Sequence, residues 1–347
     1  MKLAGREIGQ NHAPYFIAEM SGNHNQSLEK ALAIVDAAAA TGAHALKLQT
    51  YTPDTLTIDC NEREFFIKDE KSIWKGQSLY DLYKVAMTPW EWHEPIAKRC
   101  KEKGITFFST PFDETAVDFL EKMDVPFYKI ASFENNHLPL IRKVAKTGKP
   151  LIVSTGMATL IEIAEMVECA RSAGAKDIVL LKCTSAYPAS PDEMNLNTIP
   201  HLKQAFNVEV GLSDHTMGVS AVIASVVLGA SVIEKHFIVS RAEGGVDSSF
   251  SMEQEEFKRM IEDTTHAWKA LGSVRYGITK DEERSRIFRR SIYFTADIKA
   301  GEEITEKNVR IIRPGLGLSP KYLPLLIGRK AKQNIERGTA VSWDLLS

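Results

Sequence analysis

The sequence has no apolar run near the ~20 residues that a membrane-spanning helix needs, and the stretch Met1 to Gln10 carries charges where a secretory leader would be apolar. A membrane partner is therefore not expected, and a soluble, cytoplasmic chain is. Cysteine is scarce. Cys60, Cys100, Cys169 and Cys183 stand far apart with no C-x-x-C pair, which argues against a zinc knuckle or a disulfide framework and for reduced, partly buried thiols. Charge of one sign is not in excess either: 43 Lys and Arg against 45 Asp and Glu leave a net charge of -2. No basic block is present to follow a phosphate backbone, so nucleic acid is not an expected partner. Repeats and low-complexity tracts are missing too.

What is present is alternation. Short runs rich in β-branched and aromatic residues, beginning with YFIAEM (Tyr15 to Met20), give way to longer segments of helical period, beginning with Leu28 to Ala40. The runs recur as HALKLQ near Lys47, ITFFST near Thr110, FYKIAS near Lys129, LIVSTG near Ser154, IVLLKCT near Cys183, VEVGLSD near Ser213 and SVIEKHF near His236. Between them lie helix candidates such as Pro89 to Lys103, Asp113 to Met123, Leu160 to Ser172, Val219 to Leu228 and Met252 to Leu271. Eight βα units predict an α/β fold, a closed (β/α)8 TIM barrel, which takes roughly 250 residues. Tyr51 to Met87 is too long for a βα loop and predicts an ordered excursion over the barrel mouth. After Leu271 the helical rhythm stops. A barrel domain over residues 1–275, a charged linker over 276–289 and a small β-rich C-terminal domain over 290–347 are the expected organisation.

Polar residues gather where the apolar runs end. Glu19; Lys47 and Gln49; Ser109 and Thr110; Lys129 and Ser132; Ser154 and Thr155; Thr184 and Ser185; Ser213, Asp214 and His215; and Glu234 and His236 close the runs in turn. The C-terminal ends of barrel strands form the active-site face. Any single Ser or Thr here is equally well explained as the solvated start of a loop. Lys47 and Lys129 are not, because an ammonium inside an apolar strand must be paired or must face an anion. With the hydroxyls around them, the two lysines predict a cradle for a small phosphorylated, carboxylated anion. A lone strand histidine is more often a hydrogen-bonded core residue, but His215 and His236 close adjacent strands at one mouth. They are candidates for a labile divalent ion whose other positions go to water and substrate. Asp214 and Glu234 flank them and are expected to orient the rings or take protons. Trp74 in the long excursion, and Trp90 and Trp92, are read as packing.

Taken in order, NHN (Asn23 to Asn25), KLQT, FFSTPFD, YKIAS, STGMA, GLSDHT and EKHF resemble the N-acetylneuraminate (sialic acid) synthase family over nearly the whole chain. The segment from Arg290, RRSIYFTADIKAGEEIT through RPGLG, resembles the antifreeze-like (SAF) domain that ends those synthases. EMSGNHNQS in place of EAGVNHNG, and CTSAYP in place of CTNxYP, look like the pseudaminic acid synthase branch, as do SIWKGQSLYDLY, TPWEWH, ASFENN and SRAEGGVDSSFS. The resemblance implies condensation of phosphoenolpyruvate with 2,4-diacetamido-2,4,6-trideoxy-L-altrose, with neuraminate and legionaminate synthases as alternatives differing in acceptor. It places Lys47, Thr110, Lys129, Ser132, Ser154, Ser185 and Ser213 around phosphoenolpyruvate, Ser185 standing where the neuraminate branch has asparagine. It places Glu19, Gln49, Tyr187 and Asp247 around the acceptor, and a divalent metal on His215 and His236: manganese, with magnesium or cobalt as alternatives. Arg313 would reach the barrel of a second copy, which implies a domain-swapped homodimer. In a bacterium the product would serve surface or flagellin glycosylation.

Phosphoenolpyruvate is a masked enol whose methylene carbon attacks an aldehyde without a Schiff-base lysine. The expected catalytic groups are His215 and His236 through a Lewis-acidic metal, and Glu19 or Glu234 placing the water that adds to the former enol carbon. Lys47 and Lys129 would offset the charge of departing phosphate. Two readings compete. One is a pyruvate aldolase forming an imine on Lys129 or Lys47; the other is a non-enzymatic carbohydrate- or ice-binding protein, which has no use for two lysines and two histidines at one barrel mouth.

Overall fold

Strand and helix alternate until the last strand pairs with the first. The computed structural model describes residues 1–70 and 72–347. In it β1 (Tyr15–Glu19), β2 (Ala45–Thr50), β3 (Thr106–Pro111), β4 (Tyr128–Ile130), β5 (Leu151–Ser154), β6 (Ile178–Cys183), β7 (Glu209–Asp214) and β8 (Val232–His236) form a closed parallel barrel. Each strand is followed by a helix: α1 (Leu28–Ala40), α2 (His93–Lys103), α3 (Glu114–Lys122), α4 (Leu138–Ala145), α5 (Leu160–Ser172), α6 (Thr198–Phe206), α7 (Ser220–Val227) and α8 (Gln254–Leu271). Local chemistry starts several of them. The Ser27 hydroxyl accepts from Lys30 N–H at α1, Asp113 caps α3, and Thr159 with Glu162 makes a capping box on α5.

Successive strand side chains point to opposite faces, and this separates two cores. Phe16, Leu46, Tyr128, Val153, Leu180 and Ile233 face outward and join the cluster under the helices. Tyr15, Ile17, Phe108, Phe127, Ile152 and Val232 face inward and form a distinct apolar layer at the lower end of the barrel. The interior leaves little room: a Cβ on Gly211 would lie 2.1 Å from the Val232 carbonyl oxygen. Because the lower layer is apolar and tightly filled, the polar inward residues two positions further along each strand are left to build the upper layer.

The excursion over residues 51–87 contains the short helix Pro53–Leu56 and the helix Leu79–Ala86. Its tie points are polar. Gln26 Nε2 donates to Val85 O at 2.8 Å and Met87 O at 2.7 Å, and the Trp74 indole N–H donates to Val246 O at 2.9 Å. The loops that follow β1 and β8 thus hold the cover at its C-terminal end and at Trp74 within it.

The chain divides into two compact units, Met1–Gly272 and Ser273–Ser347. In the second, β9 (Ser291–Phe294) pairs antiparallel with β10 (Val309–Ile312) over a core that includes Ile292, Phe294, Ile298, Ile304 and Leu326. Arg313 follows β10 directly and is exposed. Among the described residues no helix is long and apolar enough to cross a membrane.

Candidate active site

The upper inward layer is ionic. Strand register sets Glu19 beside both Lys47 and His236, and Glu234 beside Ser213. Lys47 Nζ lies 2.8 Å from Glu19 Oε2 and 3.5 Å from Glu234 Oε1, and donates to Thr110 Oγ1 at 3.1 Å. Lys129 Nζ donates to Glu234 Oε1 at 3.0 Å, and the Ser213 hydroxyl approaches the same oxygen at 3.4 Å. All four charged side chains are buried. Burial alone would raise Glu234, but Lys129 and Lys47 outweigh it and hold its carboxyl below the usual range. Glu19 goes the other way: burial, reinforced by nearby Glu234, raises it against the pull of Lys47. Burial and the neighbouring Lys47 lower Lys129, with Glu234 opposing only in part. Two cations matched by two carboxylates make a layer that is neutral when empty and can accept an anion by redistributing these contacts.

A cradle of hydroxyls adjoins the lysines. The Ser132 hydroxyl accepts the Gly156 N–H at 3.1 Å. A Cβ on Gly156 would come 2.3 Å from Ser185 Oγ and 2.6 Å from Ser132 Oγ, so glycine is what leaves the space between the two hydroxyls open. Ser154 Oγ is buried and makes no hydrogen bond to a described residue, and an unspent buried hydroxyl marks a place where a ligand oxygen would be satisfied. Cys183 Sγ stands 3.9 Å from Ser185 Oγ and 4.0 Å from His215 Nδ1, walling the cradle on the histidine side.

The imidazoles form the opposite wall. His215 and His236 have ring centroids 5.3 Å apart, and Tyr187 lies 4.4 Å from the His215 ring. His215 Nδ1 donates to the Thr184 carbonyl at 2.9 Å, which fixes the tautomer and leaves Nε2 with its lone pair. His236 is held neutral: burial, then the nearby His215, lowers it well below its ordinary value. Its Nδ1 is buried without a hydrogen bond to a described residue. Two imidazoles at one mouth are a donor set that fits a divalent cation. Among the described residues no third His, Cys, Asp or Glu joins them, so oxygen from water or substrate would complete the sphere.

Acceptor-side candidates converge on the same mouth. Gln49 Nε2 donates to Glu19 Oε1 at 2.9 Å, the Ser21 hydroxyl donates to Asp247, and Asp247 Oδ2 lies 3.9 Å from His236 Nδ1. Tyr187 is sandwiched among Trp74, His215 and Phe250.

Two residues singled out in the sequence, Ser109 and Asp214, face away from the barrel interior: Ser109 Oγ lies 2.6 Å from Thr50 Oγ1, which meets His93 of α2, and Asp214 is likewise turned outward. Asp214 does not orient a histidine. Its side chain is on the outer face of β7, where Lys235 Nζ donates to it at 2.5 Å and Thr216 donates through both N–H and hydroxyl. Inward Ser213 forces this, because neighbouring strand residues face opposite ways. Arg313 belongs to the second unit. Four residues that the sequence reading did not assign also stand here: Ser21, Cys183, Trp74 and Glu134. Burial pushes the Glu134 carboxyl up to about 7 against the pull of Lys129 and Lys47, and its Oε2 is buried without a hydrogen bond to a described residue. For Cys183 a signal was available: it lies two residues beyond inward Leu181 on an alternating strand.

Residues 34–276 match the NeuB family, and residues 289–347 match the SAF domain. The chain is 45% identical over 327 residues to pseudaminic acid synthase of Campylobacter jejuni subsp. jejuni serotype O:23/36, covering 94% of this chain and 95% of that one. It is 41% identical over 332 residues to pseudaminic acid synthase of Helicobacter pylori, covering 95% and 97%. Among solved structures it is similar to N-acetylneuraminic acid (sialic acid) synthetase of Leptospira borgpetersenii, with a TM-score of 0.72 and 30% identity over 82% of this chain and 94% of that one.

Proposed function

The chain belongs to the NeuB family, and from that premise we propose that it is a pseudaminic acid synthase, joining phosphoenolpyruvate to 2,4-diacetamido-2,4,6-trideoxy-L-altrose with release of phosphate. One observation carries the reading: a neutralised lysine pair, the unspent Ser154 hydroxyl and two imidazoles share one barrel mouth. The likeness to two pseudaminic acid synthases along nearly their whole length supports the choice of acceptor.

In this reading Lys47, Thr110, Lys129, Ser132, Ser154, Ser185 and Ser213 hold phosphoenolpyruvate, while Glu19, Gln49, Tyr187 and Asp247 hold the sugar. His215 and His236 would hold the divalent ion, manganese or else magnesium or cobalt. When bound, it supplies Lewis acidity toward the sugar's aldehyde oxygen. The methylene carbon of phosphoenolpyruvate bonds to the aldehyde carbon, and water adds to the former enol carbon. The carbon–oxygen bond to phosphate then breaks, giving the sugar acid and phosphate. Glu19 is the better proton acceptor for that water, because its carboxyl is raised while Glu234 is tied to two ammonium groups. Lys47 and Lys129 offset the charge of departing phosphate.

A homodimer goes with this reading. Phe133, Met157 and Met217 on the segments after β4, β5 and β7, with Leu160 and Ile161 at the start of α5, are exposed and make an apolar rim suited to the C-terminal unit of a second copy bringing its Arg313. A cytoplasmic location, and a product used in surface or flagellin glycosylation, also belong to it.

The test is phosphate release, with mass detection of the product, from phosphoenolpyruvate and manganese with either the altrose sugar or N-acetylmannosamine. Release with the altrose sugar alone is expected; release with N-acetylmannosamine alone would move the assignment to a neuraminate synthase. Oxygen-18 in the bridging position should leave with phosphate, and borohydride with pyruvate should trap no lysine adduct.

A further inference from the structure

Ser21 is held in a conformation that suits it poorly. Its φ is +50°, in the left-handed region that favours glycine, and the residue is only 3% exposed. A buried hydroxyl must be satisfied, and this one is used twice. It donates to Asp247 Oδ2 and lies 3.4 Å from Gln49 Nε2, which can donate to it; Gln49 Nε2 also donates to Glu19 Oε1 at 2.9 Å. The donors run in one direction, from the Gln49 amide to the Ser21 hydroxyl to the Asp247 carboxylate. The Gly22 N–H, next along the chain, also donates to Asp247. The link therefore joins β2 to the loop after β8 through the residue that turns the chain out of β1. Glycine would relieve the backbone but break the link.

We propose that Ser21 is a positioning residue for the acceptor sugar. Its hydroxyl fixes the Asp247 carboxylate and the Gln49 amide relative to each other. The Asp247 carboxylate and Gln49 Oε1 are thereby held as acceptors at a set separation, suited to a sugar that offers two donors, such as a pair of acetamido N–H groups. This rests on the reading of Gln49 and Asp247 as acceptor-binding residues. It also explains why Asp247 Oδ2 stays 3.9 Å from His236 Nδ1 instead of closing on it: that oxygen is already engaged by the serine.

The experiment uses the full-length enzyme with manganese and two variants, Ser21→Gly and Ser21→Ala. Ser21→Gly relieves the positive φ, so its melting temperature should equal or exceed that of the wild type, and misfolding does not confound the kinetics. The expected result is a KM for the altrose sugar raised about tenfold, the size of one lost hydrogen bond in a buried site, with KM for phosphoenolpyruvate unchanged. The preference for the altrose sugar over N-acetylmannosamine should fall with it. Ser21→Ala should show the same split with a lower melting temperature. An unchanged acceptor KM in Ser21→Gly, or parallel rises in both KM values, would overturn the proposal. A second arm needs no substrate: a double-mutant cycle of Ser21→Gly with Asp247→Asn in urea unfolding should give a coupling, and strict additivity would overturn the link. A wild type that turns over neither sugar refutes the functional reading. Failure of this proposal is different: a wild type active on the altrose sugar, with a Ser21→Gly enzyme that binds it equally well.

Discussion

Glu234 Oε1 serves two ammonium groups, at 3.0 Å for Lys129 and 3.5 Å for Lys47, and all three side chains are buried. Glu234→Gln would leave Lys129 buried without a counter-charge, a change that costs about 3–5 kcal/mol. The free variant should melt several degrees below the wild type, and saturating phosphoenolpyruvate, which in the proposed reading brings anionic oxygens to the same lysines, should raise its melting temperature by more than it raises the wild type's. A scan with and without the ligand decides it; equal ligand-induced shifts would deny that the anion takes over the role of the carboxylate. Glu134 gives a pH signature. Its carboxyl is raised to about 7 by burial, against 4.5 when the group is unperturbed. Between those values the folded chain keeps a proton that the unfolded chain has released, so stability falls as pH rises through the window and levels off above it. Glu134→Gln should match the wild type near pH 5 and exceed it by about 1–2 kcal/mol at pH 8, the partial exposure of the side chain limiting the gain. Urea unfolding at both pH values tests this, and a wild type more stable than the variant at pH 8 would mean that attraction to Lys129 and Lys47 outweighs burial. At this scale the sequence was legible wherever a charge interrupted an apolar strand, as at Lys47 and Lys129. It was misread at Asp214, where the alternation of faces was not counted, and silent at Ser21, whose role depends on a partner 226 residues away.

The cover over the barrel mouth is an element whose existence could be read and whose fastening could not. Its length and aromatic content set residues 51–87 apart from an ordinary βα loop, but Gln26 and Trp74 meet their carbonyl partners across 59 to 172 residues of sequence, and no local pattern announces such contacts. The fit is close at the first loop, where a Cβ on Gly22 would lie 3.2 Å from the Ala86 Cα. Gln26→Ala removes two hydrogen bonds from the end of helix Leu79–Ala86 and touches no buried core. Amide exchange in residues 79–87 should quicken by about tenfold, while the melting temperature stays within about 2 °C of the wild type. Exchange that quickens equally over the barrel strands would instead mark the cover as part of the global folding unit. The barrel helices repeat the lesson. α1, α3 and α5 start at capping side chains and were easy to find, whereas α4 and α6 follow His137 and Asn197, neither of which caps through its side chain, and neither helix was among the candidates drawn from the sequence. Their places are set by packing, α4 against α5 and α6 against β7 and β6, through buried residues such as Leu140, Ile141, Ile199 and Leu202.

At the scale of the molecule, the β-rich C-terminal unit has its own core and an exposed arginine at the end of β10, while the loops of the barrel unit carry an exposed apolar rim. The proposed swapped dimer makes each active site from the barrel of one copy and the Arg313 of the other, and subunit exchange tests this directly. His236→Ala disables a barrel but keeps its arginine, and Arg313→Ala keeps the barrel but removes the arginine. In a swapped mixed dimer, one site combines both defects and the other combines the intact barrel with the intact arginine. With random exchange half the dimers are mixed and half of their sites are whole, so two preparations that are inactive alone should together recover about a quarter of wild-type activity. If Arg313 served the barrel of its own chain, every site in every dimer would carry one defect and mixing would restore nothing. The recovered activity should also appear only after conditions that let subunits exchange, which separates true complementation from residual activity in either variant. Size-exclusion chromatography of each variant before mixing confirms that both enter the exchange as dimers; a monomeric, fully active wild type would remove the second copy from the site altogether.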